Sequence, residues 1–188
     1  MTQTVHRIIE RHAAITADAV AVIDGGSSCS YRELNAAANV LARRLMSGGF
    51  RREMRALIRM APSVDLAVVL LAVLKTGGRY TWRSADPDER PAFVVIEPTG
   101  EHRDIDLGEV RPPTRCSSPN LPVITRETDI ACVLESTITV PHATIVALAT
   151  CAARGRSPWV GESGAFDLWA ALIAGVTAVI DDRPAVAA

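Results

Sequence analysis

A chain of 188 residues, 48% hydrophobic and 22% charged, can bury the core of one α/β domain and is too apolar to be disordered. A net charge of −1 and 4% aromatic residues offer neither the basic surface nor the stacking platform that nucleic acids or anionic membranes require. The opening segment MTQTVHRIIERH lacks an apolar signal core, and the longest apolar run, residues 66–74, is about half of a bilayer span, so a cytoplasmic setting without membrane contact is expected.

In chain order, Val5, Ile8, Ile9 and Ala13 recur at helical period. Residues 19–24 read as a strand, closed by a turn at 25–28 (GGSS). Ser30 and Glu33 stand at the spacing of a capping box, in which the hydroxyl accepts one free N–H and the carboxylate another. They open a helix with one apolar stripe: Leu34, Ala37, Ala38, Leu41, Ala42 and Leu45. Arg43 and Arg44 suit its C-terminal dipole, and Gly48-Gly49 its end.

Residues 54–60 form the next expected strand. A helix then runs from Pro62-Ser63 to Gly77-Gly78, with Lys75 explained by the dipole at its end. Residues 79–82 and 92–97 are further strands. Residues 98–128, with five prolines, form an irregular connection with room for short extended pieces. Regular structure resumes with strands at 129–135 and 137–140, helices at 142–153 and 165–175, and a strand at 176–181. Strands alternating with helices imply an α/β fold with a wound, mainly parallel sheet and flanking helices. We read one domain over 1–188: a first α/β unit at 1–97, the connection at 98–128, and a second α/β portion at 129–182.

The cysteines at 29, 116, 132 and 151 have no C-x-x-C spacing and read as reduced thiols. His6 and His12 are too far apart to serve as two ligands on one helix face, so no metal is expected.

The order of these pieces resembles the N-terminal part of the adenylation domains of nonribosomal peptide synthetases, within the acyl-adenylate-forming superfamily. Ser30-Tyr31-Arg32-Glu33-Leu34 match the family's first core motif, (T/S)-Y-x-E-L. Residues 71–80, LAVLKTGGRY, match its L-K-x-G-x-x-Y motif. Val140-Pro141-His142 resemble the segment after its phosphate loop, and residues 166–180 its F-D-x-x-x-W helix and following strand. The resemblance implies a fold like part of the family's N-terminal lobe. Its chemistry is activation of a carboxylic acid with ATP and magnesium, followed by thioester formation on a carrier protein.

The chain departs from the family where that chemistry resides. The family's phosphate loop, Y-T-S-G-S-T-G-x-P-K-G, wraps ATP phosphates in backbone amides; here about eight of its residues have no counterpart. Ser136 and Thr137 remain as flanks, and Glu135 beside them would repel phosphate. No glycine lies between positions 109 and 154. After Tyr80 the family's V-P-L-D-P is replaced by Thr81-Trp82-Arg83-Ser84-Ala85, and a helix before residue 92 is lost. The family's adenine and ribose motifs and its catalytic Lys have no counterpart in these residues. We therefore expect no bound cofactor and no catalytic residue.

Asp167 aligns with the aspartate that binds a substrate amine in the family, and is read as a substrate-site remnant or simply as a helix N-terminal residue. His142 is expected to be structural, at a helix start. Trp82, Trp159 and Trp169 are core or interface residues; Trp82 and Arg83, which replace Pro and an apolar residue of the family, are the interface candidates. A partial lobe should also leave an apolar helix face or a strand edge bare.

The expected function is that of a catalytically inactive adenylation-like protein. It would act as a structural, scaffolding or docking partner of a peptide-synthetase protein, through a condensation domain or a synthetase module, or as a homodimer. The alternatives are residual amino-acid or nucleotide binding, adenylation completed in trans, and a non-functional remnant.

Overall fold

The computed structural model describes residues 3–83, 92–96, 102–105, 107, 110, 118–122, 124–134, 138–152 and 165–180. Helix α1 (Val5–Ile15) leads into strand β1 (Val20–Asp24) and its hairpin partner β2 (Ser27–Ser30). The expected turn over 25–28 is therefore shorter, because Ser27 and Ser28 pair with Asp24 and Ile23. Small polar residues are poor strand formers, but ladder hydrogen bonds to an existing strand override that preference.

Helix α2 (Tyr31–Ser47) starts at the expected capping box: Ser30 Oγ accepts from Glu33 N, and the Glu33 carboxylate accepts from Ser30 N at 2.9 Å. Its whole predicted stripe is buried. Strand β3 (Arg55–Arg59) precedes α3 (Val64–Lys75), in which every residue but Asp65 is buried. A helix apolar all round must lie inside the molecule, and each fully buried Val or Leu contributes roughly 1.5–3 kcal/mol. Gly77, with φ +76°, and Gly78, where a Cβ would lie 2.3 Å from the Phe50 ring, turn the chain from α3 into β4 (Arg79–Arg83).

Strands β5 (Ala92–Ile96), β6 (His102–Asp104), β7 (Ile130–Leu134) and β8 (Ile138–Pro141) complete a six-stranded sheet of order β6-β5-β3-β4-β7-β8. The sheet is mixed. Its centre, β3-β4-β7, is parallel, as expected of a wound α/β fold, and antiparallel strands flank it on both sides. Helices α4 (His142–Ala152) and α5 (Ala165–Ala174) follow, and β9 (Ala178–Ile180) returns to pair in parallel with β1, giving a three-stranded sheet β2-β1-β9. The two sheets share one core running from Val5 to Ile180. Tyr31, at the start of α2, locks the ends of the chain together: its hydroxyl donates to the Leu172 and Val176 carbonyls. His12 Nε2 does the same to the Ile173 carbonyl at 3.1 Å.

Candidate functional site

Ligands of open α/β sheets bind at the carboxyl ends of the parallel strands. Here β4 ends at Arg83 and its parallel neighbour β7 at Leu134, with Tyr80 in register with Cys132. The two strands therefore leave the sheet on the same side. Trp82, Arg83 and Leu134 share one edge. Trp82 is half-buried against the core and donates its indole N–H to the Met60 carbonyl at 2.9 Å, while Arg83 is exposed.

At this edge β7 turns straight back. Val133 pairs with Thr139 and Leu134 with Ile138 in an antiparallel hairpin. Only residues 135–137 join the paired strands, and Glu135, Ser136 and Thr137 lie outside the described residues, as do Cys116 and Trp159. A loop this short costs little closure entropy.

The base of the hairpin is built from buried polar groups. α4 has its first amides satisfied by backbone: His142 N donates to the Asp129 carbonyl and Ala143 N to that of Glu127. The His142 side chain is fully buried and its Nδ1 accepts from Val5 N at 3.4 Å. That bond places the ring proton on Nε2, so the imidazole is neutral. Burial pulls its pKa down to about 4, against a smaller upward pull from Asp129. His142 is thus structural, as expected, and pins α1 to α4.

His6 packs edge-on against it, ring centres 5.8 Å apart, and its pKa is also well below the ordinary value, through burial and then the charge of His142. His6 Nδ1 and His142 Nε2 are buried without a partner among the described residues.

Lys75 is the last residue of α3, as expected, but the helix dipole is not what holds it: its partner is a carboxylate of α1. Its side chain is 1% exposed, and Nζ lies 2.5 Å from Glu10 Oε1, itself 6% exposed. Arg7 reaches the other carboxylate oxygen at 3.4 Å. Burial lowers the Lys75 pKa while Glu10 opposes the shift. Lys75 is the one lysine in the sequence. The signal available in advance was the apolar run preceding it, which marks a helix with no solvent face.

A second buried relay crosses the sheet. Trp169 Nε1 of α5 donates to the Tyr80 hydroxyl at 2.6 Å, and Tyr80 is hydrogen-bonded to Cys132 on β7. Burial pushes the Cys132 thiol up to about 11, so it is an unreactive thiol. Trp169 is a core residue. Asp167, in the first turn of α5, is half-buried; among the described residues no hydrogen bond or ion pair joins it to the hairpin or to Trp82 and Arg83. Among the described residues, Cys29, Cys132 and Cys151 are in no disulfide. Among the described residues, no group of three or more His, Cys, Asp or Glu side chains could hold a metal ion, and no helix is long and apolar enough to cross a membrane.

The fold is an α/β unit whose parallel strands β4 and β7 end at one edge. The family model of AMP-binding enzymes matches residues 9–97. Surfactin synthase subunit 2 of Bacillus subtilis is 45% identical over 92 residues, which is 48% of this chain and 3% of that protein. Malpibaldin synthetase of Mortierella alpina is 35% identical over 107 residues, 53% of this chain and 2% of that protein. Among solved structures, the N-terminal subdomain of Klebsiella oxytoca NpsA superposes with a TM-score of 0.69 at 17% identity, over 100% of this chain and 55% of that one. The nonribosomal peptide synthetase FmoA3 gives 0.72 at 19% identity, over 100% of this chain and 24% of that one. Residues 9–97 are thus similar to AMP-binding enzymes, and the chain has the fold of the N-terminal part of an adenylation domain. It spans a few per cent of the length of the curated relatives it matches.

Proposed function

We propose that this chain is a catalytically inactive adenylation-like protein that serves as a structural or docking partner in peptide-synthetase assembly, without a nucleotide cofactor. The observation that carries this reading is the β7–β8 hairpin. Leu134 and Ile138 are already paired, so three residues stand where the family places a glycine-rich phosphate loop. A cradle of successive backbone amides needs more chain than that, and glycines to present it. The rest of the fold closes normally around the gap: the capping box forms and the core is continuous. That integrity supports a folded working protein over a decaying remnant.

The partner we favour is a condensation domain or synthetase module, contacted through the edge that carries Trp82 and Arg83. Two assays test the reading. ATP–pyrophosphate exchange with a panel of amino and aryl acids should stay at background, alone and with candidate synthetase proteins. The chain should co-elute with a condensation or synthetase protein at micromolar concentration, and Arg83→Glu should weaken that complex. Acid-dependent exchange by the chain alone, abolished by Asp167→Ala, would replace this reading with residual catalysis; exchange that requires a partner would mean that the site is completed in trans.

A further inference from the structure

Strands β3 and β4 carry arginines at both ends of one sheet face. Side chains alternate along a strand, and Ala56, Ile58 and Tyr80 point into the core. Arg55, Leu57 and Arg59 therefore face the other way, beside Arg79, Thr81 and Arg83. The parallel register sets Arg55 opposite Arg79 and Arg59 opposite Arg83. Arg59 and Arg83 are exposed, and Arg55 and Arg79 are half-buried. Between the two arginine pairs Leu57 lies opposite Val94 of β5, both half-buried, so an apolar strip separates the charges.

Like charges directly opposite each other weaken a sheet. Among the described residues no carboxylate pairs with Arg55, Arg79 or Arg83. The sequence has 20 basic and 21 acidic side chains, so this basic face is a local concentration and does not follow from composition.

We infer that the face receives an acidic, amphipathic helix of a partner protein, laid along β3 and β4. This rests on the reading of the chain as a docking protein and gives the docked segment its chemistry. The two arginine pairs stand four residues apart, roughly 13 Å along the strands. A helix places side chains seven or eight positions apart at about 10–12 Å, so two carboxylates on one helix face reach the two pairs, and an apolar residue midway between them covers Leu57 and Val94. Guanidinium and carboxylate then meet as bidentate pairs. A second copy of this chain does not fit, because a two-fold contact would set arginine against arginine. A nucleic acid fits less well: Asp104 of β6, exposed and in register with Val94, would face its phosphates, and the apolar strip would go uncovered.

The probe is a labelled helical peptide of about 18 residues, with glutamates seven residues apart and leucine between them, titrated with the full chain by fluorescence anisotropy. Binding should saturate and should weaken several-fold between about 0.05 and about 0.3 M salt. Arg55→Glu and Arg79→Glu should each lower affinity by about tenfold or more, whereas Arg11→Glu, exposed on α1, should leave it unchanged. A peptide with lysine for glutamate should not bind. If a reversal variant loses its circular dichroism spectrum, the exposed Arg83→Ala reads the same face and should weaken binding about two- to fivefold. A peptide that binds while no synthetase protein co-elutes would keep the acidic-helix site and remove the synthetase as its owner. A synthetase complex that survives Arg55→Glu and Arg79→Glu would leave docking standing and overturn this inference. So would a peptide that fails to saturate, or an oligonucleotide that binds more tightly than the peptide. Binding gained only after Asp86, Asp88 and Glu89 are replaced by amides would also overturn it, since the chain's own acidic stretch would then be the occupant.

Discussion

Helices α2 and α4 are both flanking helices of one wound fold, yet they end differently against water. α2 opens on a reciprocal side-chain cap, buries one stripe and closes with Arg44 in its last turn. α4 opens with backbone carbonyls as its acceptors, has no charged residue and leaves Leu148 half-exposed. The first follows the family motif closely and is complete by itself. The second begins right after the β7–β8 hairpin and keeps apolar residues at its surface. Local motifs thus make an element self-sufficient, whereas one without side-chain caps or charges depends on its tertiary neighbours.

The strongest way to break that contrast lies under the well-formed half. Replacing Glu10 by Ala leaves the Lys75 ammonium buried with no acid partner, which should cost about 3–5 kcal/mol in urea unfolding. Glu10→Leu with Lys75→Met should restore most of the loss. A single variant within about 1 kcal/mol of wild type would show that the pair is solvated in solution.

The next effect is in pH. His142 is held at about 4, and His6 is also lowered, while the unfolded chain titrates both near the model-peptide value of ~6.5. The unfolded state therefore binds more protons below that value, so the stability of the neutral rings is fully present above ~6.5 and is lost as pH falls toward 4. Asp129 pulls His142 the other way, and His6 and Lys75 sit beside the pair. Unfolding midpoints at pH 7 and pH 5 should differ, and His142→Asn should flatten the difference. Equal slopes in both proteins would remove His142 from the linkage.

Tyr80→Phe strips the acceptor from a buried Trp169 N–H and should cost about 1–3 kcal/mol. Trp169→Phe in the Tyr80→Phe background should then cost less than in wild type; strict additivity would mean that the bond is not made. Ser30→Ala removes the α2 cap and should cost about 1 kcal/mol, against nothing measurable for Thr144→Ala on α4. Last, inserting eight Gly and Ser residues between Leu134 and Ile138 should cost only about 1 kcal/mol, because loop closure grows slowly with length. A much larger loss would mean that the tight hairpin does more than close a gap.

Sequence reasoning located the capping box, the buried stripe of α2, the all-apolar α3, the hairpin around 135–137 and the structural role of His142, because each depends on residues close together in the chain. The strand order, the antiparallel β5 and β6, and the return of β9 to β1 were not legible, since pairing partners 156 positions apart leave no local mark. Nor was the Glu10–Lys75 pair. A lysine at a helix end normally reaches solvent, and only the packing of α1 across α3 closes that route and makes a carboxylate its necessary neighbour. The sequence alone determined which elements form and how few residues join β7 to β8. Tertiary structure decided which polar groups were sealed in, because burial depends on what the rest of the chain places overhead.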